Sequence, residues 1–203
     1  MSDALSKVYL VRHGETAWSV SGQATGRTDL PLTEQGERKA CELSAYLKNV
    51  RFDQVLTSPL QRARRTALLA GFGESAQVDA DLTEWDYGAY EGRRTSEIRA
   101  ERPGWRLFED GCPGGEKLAA VSERADHVIA RTRALTGNVL VFAHWDILRI
   151  LAVRWLGLHA VEARHFYLTT ASVSILGYHH GLDEPVIHLW NDARPQSALR
   201  QPP

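Results

Sequence analysis

Two histidines and two arginines follow short apolar segments at three points that lie far apart in the chain. Arg12 and His13 come directly after the first segment. Arg62 comes soon after the second segment, and His144 follows the third. Guanidinium groups match phosphate oxygens in geometry and charge, and arginines lower the pKa of a nearby imidazole, which keeps it free to attack. The set indicates a site for a phosphoryl group rather than for a metal ion, which the arginines would repel.

The apolar segments have the composition of buried strands, at 7–11, 54–57 and 138–143, with two further candidates at 172–178 and 186–190. Helical spacing predicts helices at 34–50, after the N-cap Thr33, and at 117–135 and 147–156, while Ser58 and Pro59 predict a helix start. Strands that alternate with helices are typical of α/β proteins. We therefore expect a three-layer sandwich with a mostly parallel central sheet.

Residues 1–195 are predicted to form one domain, and residues 196–203 a frayed tail. The segment 80–116, called the lid segment below, is rich in glycine, tryptophan, tyrosine and charge, and does not resemble core. Ligands of open α/β sheets bind beyond the carboxyl ends of the strands. The lid segment is therefore expected to cover that edge, where the histidines and arginines converge.

The overall composition excludes several classes of protein. The chain has 203 residues, 43% hydrophobic and 24% charged, so it is neither disordered nor fibrous. A net charge of −1 gives no reason to expect nucleic acid or a membrane as a partner. Cys41 and Cys112 are too few for a disulfide framework or a cysteine-rich zinc site. With no signal peptide recognisable, the sequence predicts a cytoplasmic protein.

Several motifs, taken in order, resemble those of a known family. They are LVRHGETAWS, GRTDLPLTEQG, SPLQRARRTA, LTEWDYGAYEG and VFAH. Together they resemble the histidine phosphatase superfamily, in the branch that includes cofactor-dependent phosphoglycerate mutase. The resemblance covers about residues 8–150. Within it, the stretch RHGETxWSxSGQxTGRTD together with EWDYG is similar to small bacterial and fungal sugar-phosphate phosphatases.

The resemblance implies a phosphomonoesterase that acts on small sugar phosphates and needs neither a metal nor a cofactor. His13 would be the nucleophile and would form a phosphohistidine. Arg12, Arg62 and His144 would hold the phosphoryl oxygens and neutralise their charge. Glu84 would protonate the leaving group and then act as the base on water, which requires a raised pKa. The partner would be a small phosphorylated substrate, and a homodimer stays open.

Further residues are expected to contact the substrate, and four positions depart from the family pattern. The expected contacts are Ser19, Gln23, Ala24, Thr25, Gly26, Tyr87, Lys117, Trp145 and Asp146. Relatives often have histidine at Ala24 and Asp146, a small hydroxyl residue at Lys117, and glycine at Trp145. These departures reflect either ordinary drift or a substrate pocket with a reshaped rim.

The sequence predicts specific roles for Trp145 and Asp146. Glycine at a strand-to-helix turn often has a positive φ, so the turn at Trp145 is either strained or not left-handed. Trp145 would stack on a sugar or shorten the pocket, and Asp146 would bind sugar hydroxyls or pair with Lys117. The remaining six histidines are expected to be ordinary residues, with His179 and His180 at an exposed hairpin tip.

Two other functions stay open. One is mutase-type phosphoryl transfer, although mutases of this superfamily are usually longer, with insertions that shield the phosphoenzyme from water. The other is a non-catalytic module that binds a phosphorylated ligand, which would follow if Trp145 blocked the pocket.

Overall fold

A six-stranded sheet forms the centre of the computed structural model, which describes residues 5–193. The strands are β1 (Val8–Arg12), β2 (Gln54–Thr57), β3 (Ala76–Val78), β4 (Val139–Ala143), β5 (Val173–Tyr178) and β6 (Pro185–Asp192). Their order is β3-β2-β4-β1-β5-β6. The first four of these are parallel, whereas β5 runs antiparallel to both of its neighbours, β1 and β6. The predicted mostly parallel sheet is confirmed, and the predicted tail at 196–203 lies outside the described residues.

Helices connect and cover the strands. They are α1 (Ala17–Ser21), α2 (Glu34–Leu47), α3 (Gln61–Leu69), α4 (Thr95–Glu101), α5 (Leu107–Asp110), α6 (Leu118–Arg133) and α7 (Trp145–Trp155). Short 3₁₀ helices lie at Ala80–Leu82, Gly88–Tyr90 and Ala160–His165.

The side chains of β1 alternate between two cores, one on each face of the sheet. Val8 and Leu10 join a cluster that includes α6 and α7, while Tyr9 and Val11 join a second cluster that includes α2 and α3. This alternation is the two-residue period of a strand. Since both faces are covered by helices, the three-layer arrangement is confirmed.

The chain that leaves β1 passes very close to the start of α2. A Cβ on Gly14 would lie 2.6 Å from the carbonyl oxygen of Gly36, so only glycine fits there. The predicted N-cap is observed, because the Thr33 hydroxyl accepts a hydrogen bond from the Gly36 N–H at 3.0 Å. These contacts fix the direction in which the chain leaves the sheet beyond Arg12.

Some predicted boundaries were wrong. α3 begins at Gln61 rather than at Pro59, and α7 begins at Trp145, two residues before the predicted start. The edge strand β3 and the short helices α4 and α5 were not predicted.

The prediction that the lid segment does not resemble core also needs correction. Leu82 and Trp85 are fully buried in the core cluster beneath α6 and α7. Ile98 is buried in a small cluster with Tyr90 and Trp105. The apolar residues of this segment are scattered among charges and glycines, which hid them in the sequence.

Two smaller observations agree with the sequence. Cys41 and Cys112 are both free thiols. Within residues 5–193, no helix is both long enough and apolar enough to cross a membrane.

Candidate active site

A cavity of about 800 Å³ opens at the carboxyl edge of the sheet. Its buried floor includes His13 and Glu84, which are 4% and 3% exposed. Arg12 at the end of β1 and Trp145 at the start of α7 line it as well. The structure thus brings together residues from β1, the lid segment and α7, as the strand-end argument predicted.

The hydrogen bond of His13 fixes where its proton lies. The ring Nδ1 is 2.7 Å from the carbonyl oxygen of Gly14. A carbonyl only accepts, so Nδ1 carries the hydrogen and Nε2 keeps a free lone pair. Burial, and then the positive charges of Arg12 and Arg62, hold the pKa of His13 well below its usual value. His13 is therefore a neutral imidazole with an unprotonated Nε2 at neutral pH.

Arg12 lines the cavity with part of its donor capacity unused. Its Nη1 donates to the carbonyl oxygen of Leu168 at 2.6 Å. Its Nε is buried and has no hydrogen-bond partner among residues 5–193, a costly state unless an anion supplies the acceptor. Burial lowers the pKa of Arg12 to about 10, so the group stays charged at neutral pH. This is the strongest local sign of an anion site.

Arg62 and His144 lie behind the cavity wall rather than in it, and both are fully buried. Arg62 Nε donates to His144 Nδ1 at 3.1 Å, so the proton of His144 is on Nε2, which donates to Ser58 Oγ at 2.7 Å. Arg62 also donates to the carbonyl oxygens of Thr25, Gly26 and Thr28. In this arrangement Arg62 organises the loop around Thr25 and supplies positive charge near His13.

Glu84 belongs to the lid segment, and its buried carboxyl contacts the first turn of α7. Its oxygens accept hydrogen bonds from the backbone N–H groups of Trp85, Asp146 and Ile147, at 2.9 to 3.2 Å. Burial, and then the nearby charge of Asp146, raise the pKa of Glu84 to about 7, against the opposing effect of these donors. A carboxyl in this state both gives and takes protons near neutral pH.

Asp146 is fully buried and already has partners, which corrects one of the two roles expected for it. It accepts a hydrogen bond from the Tyr87 hydroxyl and forms an ion pair with Arg149, one turn along α7. It does not pair with Lys117. The three linked groups line the cavity beside Glu84.

Trp145 lies between two arginines. The guanidinium carbon of Arg12 is 4.7 Å from the ring centroid, and that of Arg149 is 4.5 Å from it, within the range of cation–π attraction. Tyr167 contacts the ring edge-on at 4.9 Å. Trp145 itself is in α7 and has no positive φ. The alternative of a strained turn is therefore wrong, and the cavity stays open beside the indole.

The remaining expected contacts divide into three groups. Ser19, Gln23, Ala24 and Thr25 line the cavity together with Tyr87. Gly26 does not, and instead its carbonyl oxygen accepts from Arg62. Lys117 was wrongly expected at the rim, because it lies exposed just before α6 and outside the cavity lining.

Several arginines of the cavity wall were missed by the sequence reasoning. They are Arg99, Arg106, Arg149 and Arg164, joined by His165. Only Arg149 could have been predicted from the sequence, because it lies three residues after Asp146 on one helix, the spacing of an ion pair. The others sit in the lid segment and in the 3₁₀ helix before β5, where no periodic pattern indicates their direction.

His179 and His180 are exposed at the turn between β5 and β6, as predicted. With Glu184 they form a group whose ligand atoms lie within 4.8 Å of one another, a spacing that a metal ion could bridge. None of the three lines the cavity, so they are not part of the candidate site.

The fold and the cavity define a class of protein. It is an α/β protein whose sheet edge presents a neutral histidine, an unsatisfied arginine and a carboxyl of raised pKa. A family model for the histidine phosphatase superfamily (branch 1) matches residues 8–193. The chain belongs to this superfamily, which confirms the predicted resemblance.

Two relatives carry phosphatase names, and others are named as probable phosphoglycerate mutases, such as one of Klebsiella pneumoniae that is 35% identical over 182 residues, covering 85% of each chain. An acid phosphatase of Mycobacterium tuberculosis is 39% identical over 180 residues, covering 87% of this chain and 88% of the relative. A sedoheptulose 1,7-bisphosphatase of Saccharomyces cerevisiae is 31% identical, covering 93% and 94%. The solved structure of a Mycobacterium tuberculosis open reading frame product has a TM-score of 0.87 at 36% identity, covering 93% of this chain and 99% of that one.

The raised pKa of Glu84 predicts a pH-dependent stability. The folded protein keeps this proton up to about pH 7, whereas an ordinary carboxyl releases it near 4.5. The stability that protonated Glu84 contributes is therefore complete below pH 4.5 and lost as the pH rises through 7. Between pH 5 and pH 8, urea unfolding should show wild type losing up to about 3 kcal/mol relative to Glu84→Gln.

The matched control is Glu123→Gln, which changes an exposed carboxyl outside the cavity and should follow wild type at both pH values. Parallel pH dependence in wild type and Glu84→Gln would contradict the raised pKa.

Proposed function

We propose that the protein is a metal-independent phosphomonoesterase that hydrolyses small sugar phosphates through a phosphohistidine on His13. The observation that carries the proposal is the neutral His13, with its free Nε2, beside the unsatisfied Nε of Arg12. A phosphoryl group in the cavity would give Arg12 its missing acceptor and give His13 its electrophile. The positive charge around His13 disfavours a catalytic metal cation.

The first step transfers the phosphoryl group to the enzyme. His13 Nε2 attacks phosphorus, the bond between phosphorus and the sugar oxygen breaks, and Glu84 gives its proton to the departing alkoxide. Arg12 binds the phosphoryl oxygens, and Arg62 stabilises their charge from behind the wall. The Nδ1–H of His13 keeps its hydrogen bond to the Gly14 carbonyl oxygen throughout, so the imidazole keeps its orientation.

The second step returns the enzyme to its starting state. Glu84, now a carboxylate, accepts a proton from water, whose oxygen attacks phosphorus as the bond to Nε2 breaks. Inorganic phosphate leaves, and Glu84 is protonated again. A pKa of about 7 suits both roles, because neither protonation state is strongly favoured at neutral pH.

The two alternatives make different predictions. A non-catalytic module would need Trp145 to block the pocket, but the cavity beside this residue measures about 800 Å³. A mutase would isomerise 3-phosphoglycerate, with bisphosphoglycerate as primer, faster than it releases phosphate. Phosphate release that exceeds isomerisation and survives EDTA supports the proposed hydrolase. The cytoplasmic location stays a prediction from the sequence.

Glu84→Gln should separate substrates by their leaving groups. A sugar alkoxide needs a proton, so kcat/KM for a hexose phosphate should fall by about 10²- to 10⁴-fold. The nitrophenolate of p-nitrophenyl phosphate leaves without one, so kcat/KM for that substrate should fall less than about tenfold. Steady-state phosphate release measures both values.

His13→Ala is the companion variant and should abolish turnover of both substrates, together with the acid-labile phosphoenzyme. Equal losses for the two substrates in Glu84→Gln would contradict the proposed role of Glu84. A phosphoenzyme that survives in His13→Ala would contradict the nucleophile.

The contacts of Trp145 predict an effect on substrate choice. Trp145→Gly removes the ring between Arg12 and Arg149, so the ratio of kcat/KM values for a hexose phosphate and a triose phosphate should change by about tenfold. Trp145→Phe keeps an aromatic face and should stay close to wild type. If Trp145→Gly leaves the ratio unchanged while remaining folded, the departure at this position is drift and the reshaped rim is rejected.

A further inference from the structure

The charges on the cavity wall do not balance. Most arginines of residues 5–193 have a carboxylate oxygen within 4 Å, but a few have none, namely Arg12, Arg62, Arg64, Arg99, Arg106 and Arg133. Arg12, Arg99 and Arg106 line the cavity. Unpaired arginines are thus concentrated at this site.

Each carboxylate on the cavity wall already has its own partner. Glu84 accepts from backbone N–H groups at the start of α7. Asp146 pairs with Arg149, and Glu109 pairs with Arg164. No acid of the wall is left to neutralise Arg99 or Arg106.

Neighbouring acids outside the wall are also engaged elsewhere. Asp110 pairs with Arg102 at 3.0 Å and accepts the backbone N–H of Arg106 at 2.8 Å. The Arg106 guanidinium itself makes no hydrogen bond or ion pair within the described chain. Arg99 donates from Nε to the carbonyl oxygen of Trp105 at 3.0 Å, which anchors its side chain and leaves both Nη groups without a partner in residues 5–193.

Arg99 and Arg106 lie at the mouth of the cavity and not at its floor. Arg99 on α4 and Arg106 just before α5 are exposed, whereas His13 and Glu84 are buried. The reacting phosphoryl group is already served by Arg12 at the floor. The whole cavity, about 800 Å³, is of the size that holds a complete organic ligand.

We infer that Arg99 and Arg106 form a second anion subsite, and that the preferred substrates are phosphomonoesters that carry another anionic group, a carboxylate or a second phosphoryl, away from the reacting phosphate. The inference rests on the proposed function and narrows its substrate class. Guanidinium groups bind either anion in the same forked geometry. The aromatic residues Trp18, Trp105 and Phe108 line the same cavity and would contact the carbon skeleton between the two anions.

Two matched substrate pairs test the inference. Glycerol 3-phosphate and 3-phosphoglycerate differ by a carboxylate, while fructose 6-phosphate and fructose 1,6-bisphosphate differ by a phosphoryl group. In wild type, kcat/KM should be higher for the more charged member of at least one pair. In Arg99→Gln/Arg106→Gln that advantage should fall by about tenfold, since partly exposed charge pairs contribute modestly, with the less charged member nearly unchanged. The pair that responds identifies the second anion.

Arg106→Gln alone guards against misfolding, because its guanidinium has no hydrogen bond or ion pair in residues 5–193 to lose, and it should give part of the same effect. Arg51→Gln, which changes an exposed side chain outside the cavity, is the control and should behave as wild type. An unchanged advantage in the double variant, or equal loss for both members of each pair, would overturn the inference.

Failure of the proposed function would look different. If no substrate releases phosphate, the hydrolase proposal fails, and calorimetric binding of the same pairs still tests the subsite. The double variant should then lose affinity for the more charged ligand only, and equal affinities in wild type and variant would reject the subsite.

Discussion

Positive charge buried beside an uncharged imidazole is the constraint on which the rest of this site depends. Arg12 and Arg62 are placed near His13, and within residues 5–193 neither has a carboxylate oxygen within 4 Å. Burial and the two arginines keep His13 neutral, and the Gly14 carbonyl selects the tautomer that leaves Nε2 free. Leaving such charges unbalanced costs stability. A bound anion would neutralise the two arginines and remove this cost.

The first turn of α7 joins this charge to the other parts of the site. His144 occupies the N-cap position of the helix, and its Nδ1 accepts a hydrogen bond from the Nε–H of Arg62. Trp145 contacts Arg12, and the backbone N–H of Asp146 binds Glu84 while its carboxylate raises the pKa of that group. Three consecutive residues at the start of α7 thus contact the two arginines and the carboxyl of Glu84. In the proposed mechanism, changes in this turn would affect substrate choice and proton transfer together.

Sequence alone predicted the parts of the fold with strong local signals. β4 is apolar throughout and α2 begins after a hydroxyl cap, so both were found. β3 was missed because it is a three-residue edge strand, with Val78 exposed. Within the site, the strand-end argument brought Arg12, His13 and His144 to one edge. The partners of Asp146 and the exposure of Lys117 depend on tertiary packing, which spacing does not reveal.

The protonation state of His13 is the property that a direct measurement tests best. In protein labelled with ¹⁵N-histidine, with His13→Gln used to assign the signal, Nδ1 of His13 should carry the proton, and Nε2 should stay unprotonated as the pH falls from 8 through the ordinary histidine value of 6.5. An imidazolium that titrates near the ordinary value of 6.5, or the opposite tautomer, would contradict the account.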